Sequence, residues 1–234
     1  MIKKIIFCFV TVLSLVATSC GQQQGTALKQ GGELADVPAI ADYIEGKGLD
    51  KYAVATFAGG CFWCTEASFE RIEGVKEVIS GYSGGEISNP AYRLVASGGT
   101  KHAEAIQIYY DDKVVSFETL LEVFYVAHDG TQVNRQGPDR GPQYRSEIFY
   151  HNEAEKNAAE SYIKKLDNSG KYSRPIATLV TGYKEFWVAE AYHQDYYPSH
   201  QDNPYIANVS KPKVEKVEQV FKDILKAAYK SNNP

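Results

Sequence analysis

The sequence feature that most constrains the fold is the stretch Gly59-Gly60-Cys61-Phe62-Trp63-Cys64, where one hydrophobic pattern changes into another. An apolar, β-favouring run from Tyr52 to Phe57 leads into it, and the two glycines allow a tight turn. After Cys64 the pattern becomes helical, with two sets of side chains: apolar Phe62, Ala67, Phe69 and Ile72, and charged Glu66, Glu70, Arg71 and Glu73. The chain is therefore predicted to pass from strand to helix at Cys61, where the helix N-terminus favours a thiolate.

The spacing of the two cysteines leaves their role open. Cys61 and Cys64 lie three residues apart and face the same side of the predicted helix. The pair is compatible with a disulfide if the turn deforms slightly, and also with two buried structural cysteines. A zinc site is less favoured, because no further cysteine follows Cys64. Phe62 and Trp63 are either core aromatics or the walls of a small apolar pocket, and a nearby reactive thiol favours the pocket.

A second informative stretch, from His102 to Tyr110, alternates as a strand does. Glu104 shares a face with Ile106 and Ile108, so its carboxyl group points inward if that face meets the core. An apolar environment raises the pKa of a carboxylic acid and suits it to proton donation. Alternatively, Glu104 lies at a fraying strand end and turns to water. His102, on the opposite face, is predicted to lie at the surface.

The order of patterns predicts the fold class. Strand, helix, strand, strand, helix and strand follow one another between Tyr52 and Tyr150, and a further helix and edge strand come next. This order predicts an α+β two-layer sandwich, with a ferredoxin-like βαββαβ core and a mixed, largely antiparallel sheet. Residues 131–142 are predicted to form an irregular functional loop, and Val214–Tyr229 a final amphipathic helix.

The amino terminus is typical of a bacterial export signal. Two lysines precede the apolar run Ile5–Ala17, which is too short for a membrane span and ends in small residues before Cys20. We predict that Cys20 becomes the acylated first residue of a lipoprotein; ordinary secretion is the alternative. The chain would then lie in the cell envelope, anchored to a membrane and facing the periplasm or the exterior. The predicted segments are a signal peptide (1–19), a lipid-anchored tether (20–51), a globular domain (52–210) and a C-terminal helical extension (211–234).

Six separated motifs identify a family. They are Gly60-Cys61-Phe62-Trp63, Gly81-Tyr82-Ser83-Gly84-Gly85, His102-Ala103-Glu104-Ala105, Asn134-Arg135-Gln136-Gly137-Pro138-Asp139, Gln143-Tyr144-Arg145-Ser146 and Tyr192-His193-Gln194. From about residue 53 to residue 197 the chain resembles the A-type peptide-methionine sulfoxide reductases. The resemblance implies reduction of methionine S-sulfoxide, free or in proteins, with Cys61 as nucleophile and Glu104 as acid. The other implied roles are the methyl pocket (Phe62, Trp63), hydroxyls that bind the sulfoxide oxygen (Tyr92, Tyr144), a polar residue behind the site (Asp139) and a residue of the bordering tail (Tyr196).

One departure from the family pattern is informative. Many relatives have glycine where this chain has Cys64, and they place resolving cysteines in a C-terminal tail that has none here. We therefore predict a Cys61–Cys64 disulfide that a thioredoxin-like partner reduces, with no metal or flavin cofactor. The net charge of −4 and the lack of a long basic run disfavour nucleic acid as a partner, and the chain is expected to be a monomer. The alternatives are a general thiol–disulfide oxidoreductase and a non-catalytic lipoprotein that binds peptides.

Overall fold

The computed structural model describes residues 40–230. The predictions for the signal peptide, for acylation of Cys20 and for most of the tether lie outside these residues. The elements, in chain order, are α1 (Ile40–Lys47), β1 (Ala53–Gly59), α2 (Phe62–Glu70), β2 (Val75–Ser83), α3 (Tyr92–Ala96), β3 (Ala103–Tyr110), α4 (Phe117–Ala127), β4 (Arg135–Gln136), β5 (Asp139–Arg140), β6 (Ser146–Tyr150), α5 (Glu153–Asn168), β7 (Leu179–Gly182), β8 (Phe186–Val188), α6 (Tyr196–Ser199), a π-helical turn (Ile206–Ser210), α7 (Lys211–Val220) and α8 (Ala227–Lys230).

One six-stranded sheet organises these elements. Its strand order is β7-β6-β1-β3-β2-β8. All neighbouring pairs are antiparallel except β6 and β7, which are parallel. The predicted α+β class, with a mixed and largely antiparallel sheet, is therefore confirmed. The central position of β1 and β3 buries both of their faces, so every residue of β3 is buried.

The two faces of the sheet contribute to different clusters of apolar side chains. Phe57, Ile106 and Ile108 lie on the face covered by α2 and α4. On the other face Ala105 and Phe149 join a smaller cluster. This division follows from the alternation of side chains along each strand. Burying one large apolar side chain contributes about 1.5–3 kcal/mol, so the first cluster holds α2 firmly on the sheet.

The loop over residues 131–142 is more regular than predicted. β4 and β5 pair as a short hairpin in which Gln136 lies opposite Asp139. Its two-residue turn is Gly137-Pro138, and Gly137 has a φ of +61°. Glycine with positive φ at the first turn position is what a type II′ hairpin turn needs. The hairpin gives Asp139 a fixed place next to the sheet.

The single final helix predicted for Val214–Tyr229 is wrong. α7 ends at Val220, and Phe221 takes a non-helical conformation with φ −108° and ψ 24°. Leu225 then forms a β-bridge with Ile72. This long-range pairing supplies backbone hydrogen bonds that compete with helix continuation. Among residues 40–230, no helix is long and apolar enough to cross a membrane.

Candidate active site

Cys61 lies between the end of β1 and the first turn of α2, as the sequence predicts. It is the N-cap of α2, with extended backbone angles of φ −58° and ψ 124°. Gly60 before it has a φ of +95°, and a Cβ atom there would lie 2.6 Å from the side chain of Gln136. Only glycine fits both the backbone angle and the space at this position. The turn therefore fixes the Cys61 thiol at the helix start.

The two thiols are free, buried and hydrogen-bonded to each other. Cys61 is 6% exposed and Cys64 is 4% exposed. Burial raises the pKa of the Cys61 thiol, whereas the hydrogen bond from Cys61 lowers the pKa of Cys64 to about 7. The predicted preference of the helix N-terminus for a Cys61 thiolate is wrong for this state. The main cause is burial of Cys61, followed by its hydrogen bond with Cys64; in addition, the N–H of Phe62, the first of the helix, donates to Glu104 and not to the thiol.

Glu104 lies at the start of β3 and points into the protein. It is 2% exposed, and its Oε2 atom accepts the Phe62 N–H at 3.1 Å. Burial raises the pKa of this carboxyl group to about 8. Glu104 is therefore mostly protonated at pH 7 and can donate a proton. The alternative position at a fraying strand end does not occur.

Two tyrosines, Tyr92 and Tyr144, lie close to Cys61 and Glu104. Tyr92 begins α3 and Tyr144 ends a 3₁₀ turn, Pro142–Tyr144. Burial, and then the nearby Glu104 and Cys61 charges, raise the pKa of both phenols. Both hydroxyls stay protonated at neutral pH and are available as donors. The site thus combines a thiol, a neutral acid and hydroxyl donors.

Aromatic rings line the remaining side of the site. The Phe62 ring lies 5.0 Å from the ring of His193, and Trp63 stacks on Tyr196 at 3.9 Å between centroids. The indole Nε1–H of Trp63 donates to His193 Nδ1 at 3.1 Å. Aromatic stacking and this hydrogen bond hold Trp63 in one orientation. The structure thus brings the predicted pocket residues Phe62, Trp63 and Tyr196 together.

Tyr205 is a site residue that sequence reasoning missed. Its hydroxyl donates to Asp139 Oδ2 at 2.6 Å. It also hydrogen-bonds to Cys61, and this bond lowers the pKa of that thiol against the larger effect of burial. Asp139, placed behind the site by the family resemblance, thus reaches Cys61 through Tyr205. The only signal in the sequence was the abundance of tyrosine in the C-terminal segment.

Glu190 is a second missed residue. It is 4% exposed, and its two oxygens accept the backbone N–H of Tyr92 at 2.8 Å and the hydroxyl of Tyr82 at 2.9 Å. A buried carboxylate with two such partners ties β2, α3 and the segment after β8 together. It thereby fixes the start of α3, where Tyr92 lies.

Three histidines of residues 40–230 are buried, namely His102, His128 and His193, although the sequence pattern predicts a surface position for His102. His102 is 2% exposed, and its ring accepts the N–H of Gly85, so the prediction was wrong. The reason is that β3 has no solvent-facing side at this end. His193 is 1% exposed, and burial lowers its pKa to about 4. Its Nδ1 accepts from Trp63, so the neutral ring carries its proton on Nε2.

A separate group of carboxyl groups lies further along α2. Glu66 is 1% exposed, although the helical pattern placed it among the charged residues. Burial raises its pKa, and burial raises the pKa of Glu70 to about 8, with Asp195 nearby as a further cause for both. We call Glu66, Glu70 and Asp195 the remote acidic group. Neither this group nor any other set of three or more His, Cys, Asp or Glu side chains in residues 40–230 is arranged so that it could hold a metal ion.

Comparisons with known proteins agree with this geometry. A family model described as peptide methionine sulfoxide reductase matches residues 53–225. A protein of Rhodopirellula baltica named peptide methionine sulfoxide reductase MsrA 1 is 48% identical over 194 residues, which are 83% of this chain and 100% of the relative. The Thermus thermophilus protein named peptide methionine sulfoxide reductase MsrA is 46% identical over 173 residues, which are 74% of this chain and 97% of the relative.

Two solved structures are similar as well. Reduced Mxr1 from Saccharomyces cerevisiae aligns with a TM-score of 0.60 and 34% identity over 64% of this chain and 87% of that chain. Methionine sulfoxide reductase A of Corynebacterium diphtheriae aligns with a TM-score of 0.56 and 33% identity over 68% and 78% of the two chains.

The class of site is set by its parts: a buried thiol, a neutral carboxylic acid and hydroxyl donors suit thiol-dependent reduction of a group with a polar bond to oxygen. The chain belongs to the peptide methionine sulfoxide reductase family. It reduces methionine sulfoxide to methionine.

Proposed function

We propose that Cys61 attacks the sulfur of methionine S-sulfoxide while Glu104 protonates the departing oxygen. The observation that carries the proposal is the neutral, buried Glu104 beside Cys61 at the start of α2. A sulfoxide sulfur is a poor electrophile unless negative charge developing on its oxygen is neutralised. Glu104 supplies the proton, and Tyr92 and Tyr144 donate hydrogen bonds to the same oxygen.

Burial raises the pKa of Cys61 and so opposes the thiolate that this step needs, but two neighbours reduce that opposition. A negative charge on Glu104 also raises the pKa of Cys61, and this effect disappears once Glu104 is protonated. Attack by the Cys61 thiolate is therefore compatible with a neutral Glu104, and the Tyr205 hydroxyl stabilises the thiolate further. Phe62 and Trp63 would hold the methyl group of the substrate in their apolar pocket, with Tyr196 and Asp139 behind them.

The products follow from a balance of atoms. Sulfoxide reduction releases methionine, and Cys61 becomes a sulfenic acid that carries the former sulfoxide oxygen. We propose that Cys64 then attacks the Cys61 sulfur, so that a disulfide forms and the oxygen leaves as water. A dithiol reductant of the thioredoxin type restores both thiols by exchange and is itself oxidised to a disulfide. Methionine residues of oxidised proteins are the proposed substrates.

A count of thiols tests this sequence. The purified reduced protein receives one equivalent of methionine S-sulfoxide without reductant. One equivalent of methionine, with loss of both the Cys61 and Cys64 thiols, is expected. Methionine formation with Cys64 still free would contradict the resolving step and keep the first one. Disulfide exchange without any methionine would favour a general thiol–disulfide oxidoreductase.

We also propose that the chain is an exported lipoprotein attached through Cys20, with segment boundaries at residues 19, 51 and 210. The support is the pattern of lysines, apolar run and small residues before Cys20. Repair of oxidised envelope proteins would follow from that location. Incorporation of labelled fatty acid should be lost in Cys20→Ala, and persistence of the label in that variant would contradict the proposal.

The ferredoxin-like description of the core is a proposal of the same kind. It is supported by the order β6-β1-β3-β2 among four central strands and by α2 and α4, which connect them in a βαββαβ sequence.

A further inference from the structure

The Cys64 thiol has a second partner besides Cys61. In the thiol state the Cys64 S–H donates to the Oγ atom of Ser210 at 3.1 Å, and Ser210 is 0% exposed. Once Cys64 is deprotonated, the Ser210 hydroxyl can turn and donate to the sulfur instead. We propose that Ser210 is a catalytic residue of the resolving step, in which its hydroxyl donates to the Cys64 thiolate while Lys213 stabilises the same charge. This inference rests on the proposed resolving role of Cys64 and adds the groups that activate it.

The backbone around Ser210 places it against α2. Residues Ile206–Ser210 form a π-helical turn, and the Lys211 N–H bonds to the Ile206 carbonyl five residues earlier. Such a turn holds one more residue than an α-helical turn and thus changes the side chains that face a neighbouring helix; these turns are frequent at functional sites. Pro212 follows in the first turn of α7, where its missing N–H costs no hydrogen bond.

Contacts further along α7 keep this arrangement in place. Val214 and Val217 are 0% exposed, and α7 packs against both α2 and α4. Arg71 Nε donates to Glu218 Oε1 at 2.6 Å, which ties α2 to α7 beyond the thiol. The Ser210 hydroxyl is therefore held next to Cys64 rather than free to turn toward water.

Lys213 adds a positive charge on the same side of α7. It lies three residues after Ser210, which brings both side chains to one face of the helix. After the hydrogen bond from Cys61, the Lys213 charge and the Ser210 hydroxyl are the further causes that lower the pKa of Cys64, against the opposing effects of burial and of the Asp139 charge. Lys171, Lys216 and Asp129 line the same surface pocket as Lys213, so positive charges outnumber negative ones there.

The chemistry of resolution needs this charge stabilisation. The Cys64 thiolate attacks the Cys61 sulfur, an S–S bond forms, and the S–O bond of the sulfenic acid breaks. The Cys61 sulfur is reduced and the Cys64 sulfur is oxidised; the departing hydroxide takes up one proton and leaves as water. A thiol with a pKa near ambient pH combines thiolate abundance with nucleophilicity. Ser210 and Lys213 would hold Cys64 in that range.

The direct test is the pH dependence of Cys64 alkylation in the full reduced chain, followed by peptide mass spectrometry. The variant is Ser210→Ala, and the matched control is Ser68→Ala. Ser68 is also 0% exposed, but its hydroxyl donates to the Cys64 carbonyl at 2.8 Å and not to the sulfur. In Ser210→Ala the pH midpoint of Cys64 alkylation should rise by about one unit. The alkylation rate at pH 6 should therefore fall about tenfold, because about tenfold less thiolate is present. Equal midpoints in the two variants would overturn the proposal.

This measurement does not depend on turnover, so it separates the inference from the proposed function. If the wild-type protein forms no methionine, the resolving reaction is wrong, yet the alkylation midpoint still reports on Ser210. If methionine is formed, the rate of disulfide formation relative to the rate of methionine formation should fall about tenfold in Ser210→Ala at pH 6. An unchanged ratio would also overturn the proposal.

Lys213 provides an independent variant on the protein surface. Lys213→Gln should slow Cys64 alkylation about twofold to threefold at low salt, with a smaller difference at high salt. Lys216→Gln is the control, since it removes the same charge from the same helix, one turn of α7 further from Ser210. If Ser210→Ala does not fold, equal alkylation rates in the two lysine variants overturn the proposal.

Discussion

Two regions along α2 both hold carboxyl groups whose pKa burial raises, and they differ in what surrounds them. Glu104 accepts the first N–H of α2 and lies beside Cys61 and two tyrosine hydroxyls. Glu66, one helical turn further on, lies near two other carboxyl groups and has an oxygen without a hydrogen-bond partner. A raised pKa therefore does not identify an active site by itself. The neighbouring nucleophile and donors do.

Matched amide substitutions at Glu104 and Glu66 should give the largest difference in activity between the two regions. Glu104→Gln keeps the shape of the side chain and removes the proton donor, so kcat/KM should fall about 10²-fold to 10⁴-fold. Glu66→Gln makes the same acid-to-amide change at a carboxyl group with no reacting group near it, and kcat/KM should change less than about twofold. Steady-state kinetics with methionine sulfoxide checks both variants. Similar losses in the two would contradict the distinction.

The tyrosine hydroxyls sharpen the definition of the active region. Tyr92→Phe and Tyr144→Phe each remove one donor to the sulfoxide oxygen, and each should lower kcat about tenfold or more. The double variant should lose less than the product of the single effects if both hydroxyls bind one oxygen. Rapid-quench measurement of methionine formation gives these rates. An increase in KM with unchanged kcat would assign the tyrosines to substrate binding instead.

Glu190 should have a smaller effect, because it acts through Tyr92. Glu190→Gln keeps an acceptor for the Tyr92 N–H but weakens the bond from the Tyr82 hydroxyl, and a loss of a few-fold in kcat is expected. A double-mutant cycle with Tyr92→Phe separates the positioning of Tyr92 by Glu190 from a general destabilisation of the protein. In that background Glu190→Gln should cost little further activity. Additive losses would show that Glu190 acts independently of the Tyr92 hydroxyl.

The remote acidic group should influence stability more than activity. Its carboxyl Glu70 has a pKa of about 8 in the folded state, against an ordinary value of 4.5. The folded protein therefore binds more protons than the unfolded chain between these two values, so the free energy of unfolding falls as pH rises through that window. The fall is at most about 1.4 kcal/mol per pH unit for one such group.

The matching variant is Glu70→Gln, which is neutral at every pH. It should match the wild-type protein near pH 4 and exceed it by up to about 4 kcal/mol at pH 8, because a rise of the pKa from 4.5 to about 8 costs about 1.4 kcal/mol per pH unit over that window. Urea unfolding at both pH values measures the difference. A variant that is less stable than wild type at pH 8 would contradict the role given to burial.

The part of the site that local pattern determines was predictable. Glycines after an apolar run and a helical pattern after them predict the turn at Cys61, and alternation along β3 predicts the inward face of Glu104. These features involve neighbours in sequence. The predicted runs Tyr52–Phe57 and His102–Tyr110 agree with β1 and β3 within two residues at each end for the same reason.

The rest depends on contacts between distant residues. Tyr205 meets Asp139 across 66 positions, and the break after Val220 depends on the pairing of Leu225 with Ile72. Glu66 carries a charge in the sequence pattern, and its burial follows from the packing of the segment around Asp195 against α2. No periodicity reports such contacts, because they are set by the path of the C-terminal segment.

The most direct test of the account is the rate of the first turnover as a function of pH, measured as the burst of methionine in wild type, Glu104→Gln and Glu66→Gln. The neutral form of Glu104 is the reactive one, so the wild-type rate should fall as pH rises through about 8. Glu66→Gln should retain this fall, and Glu104→Gln should be slow and lack it. A fall near pH 8 that persists in Glu104→Gln would contradict the assignment of Glu104 as the proton donor.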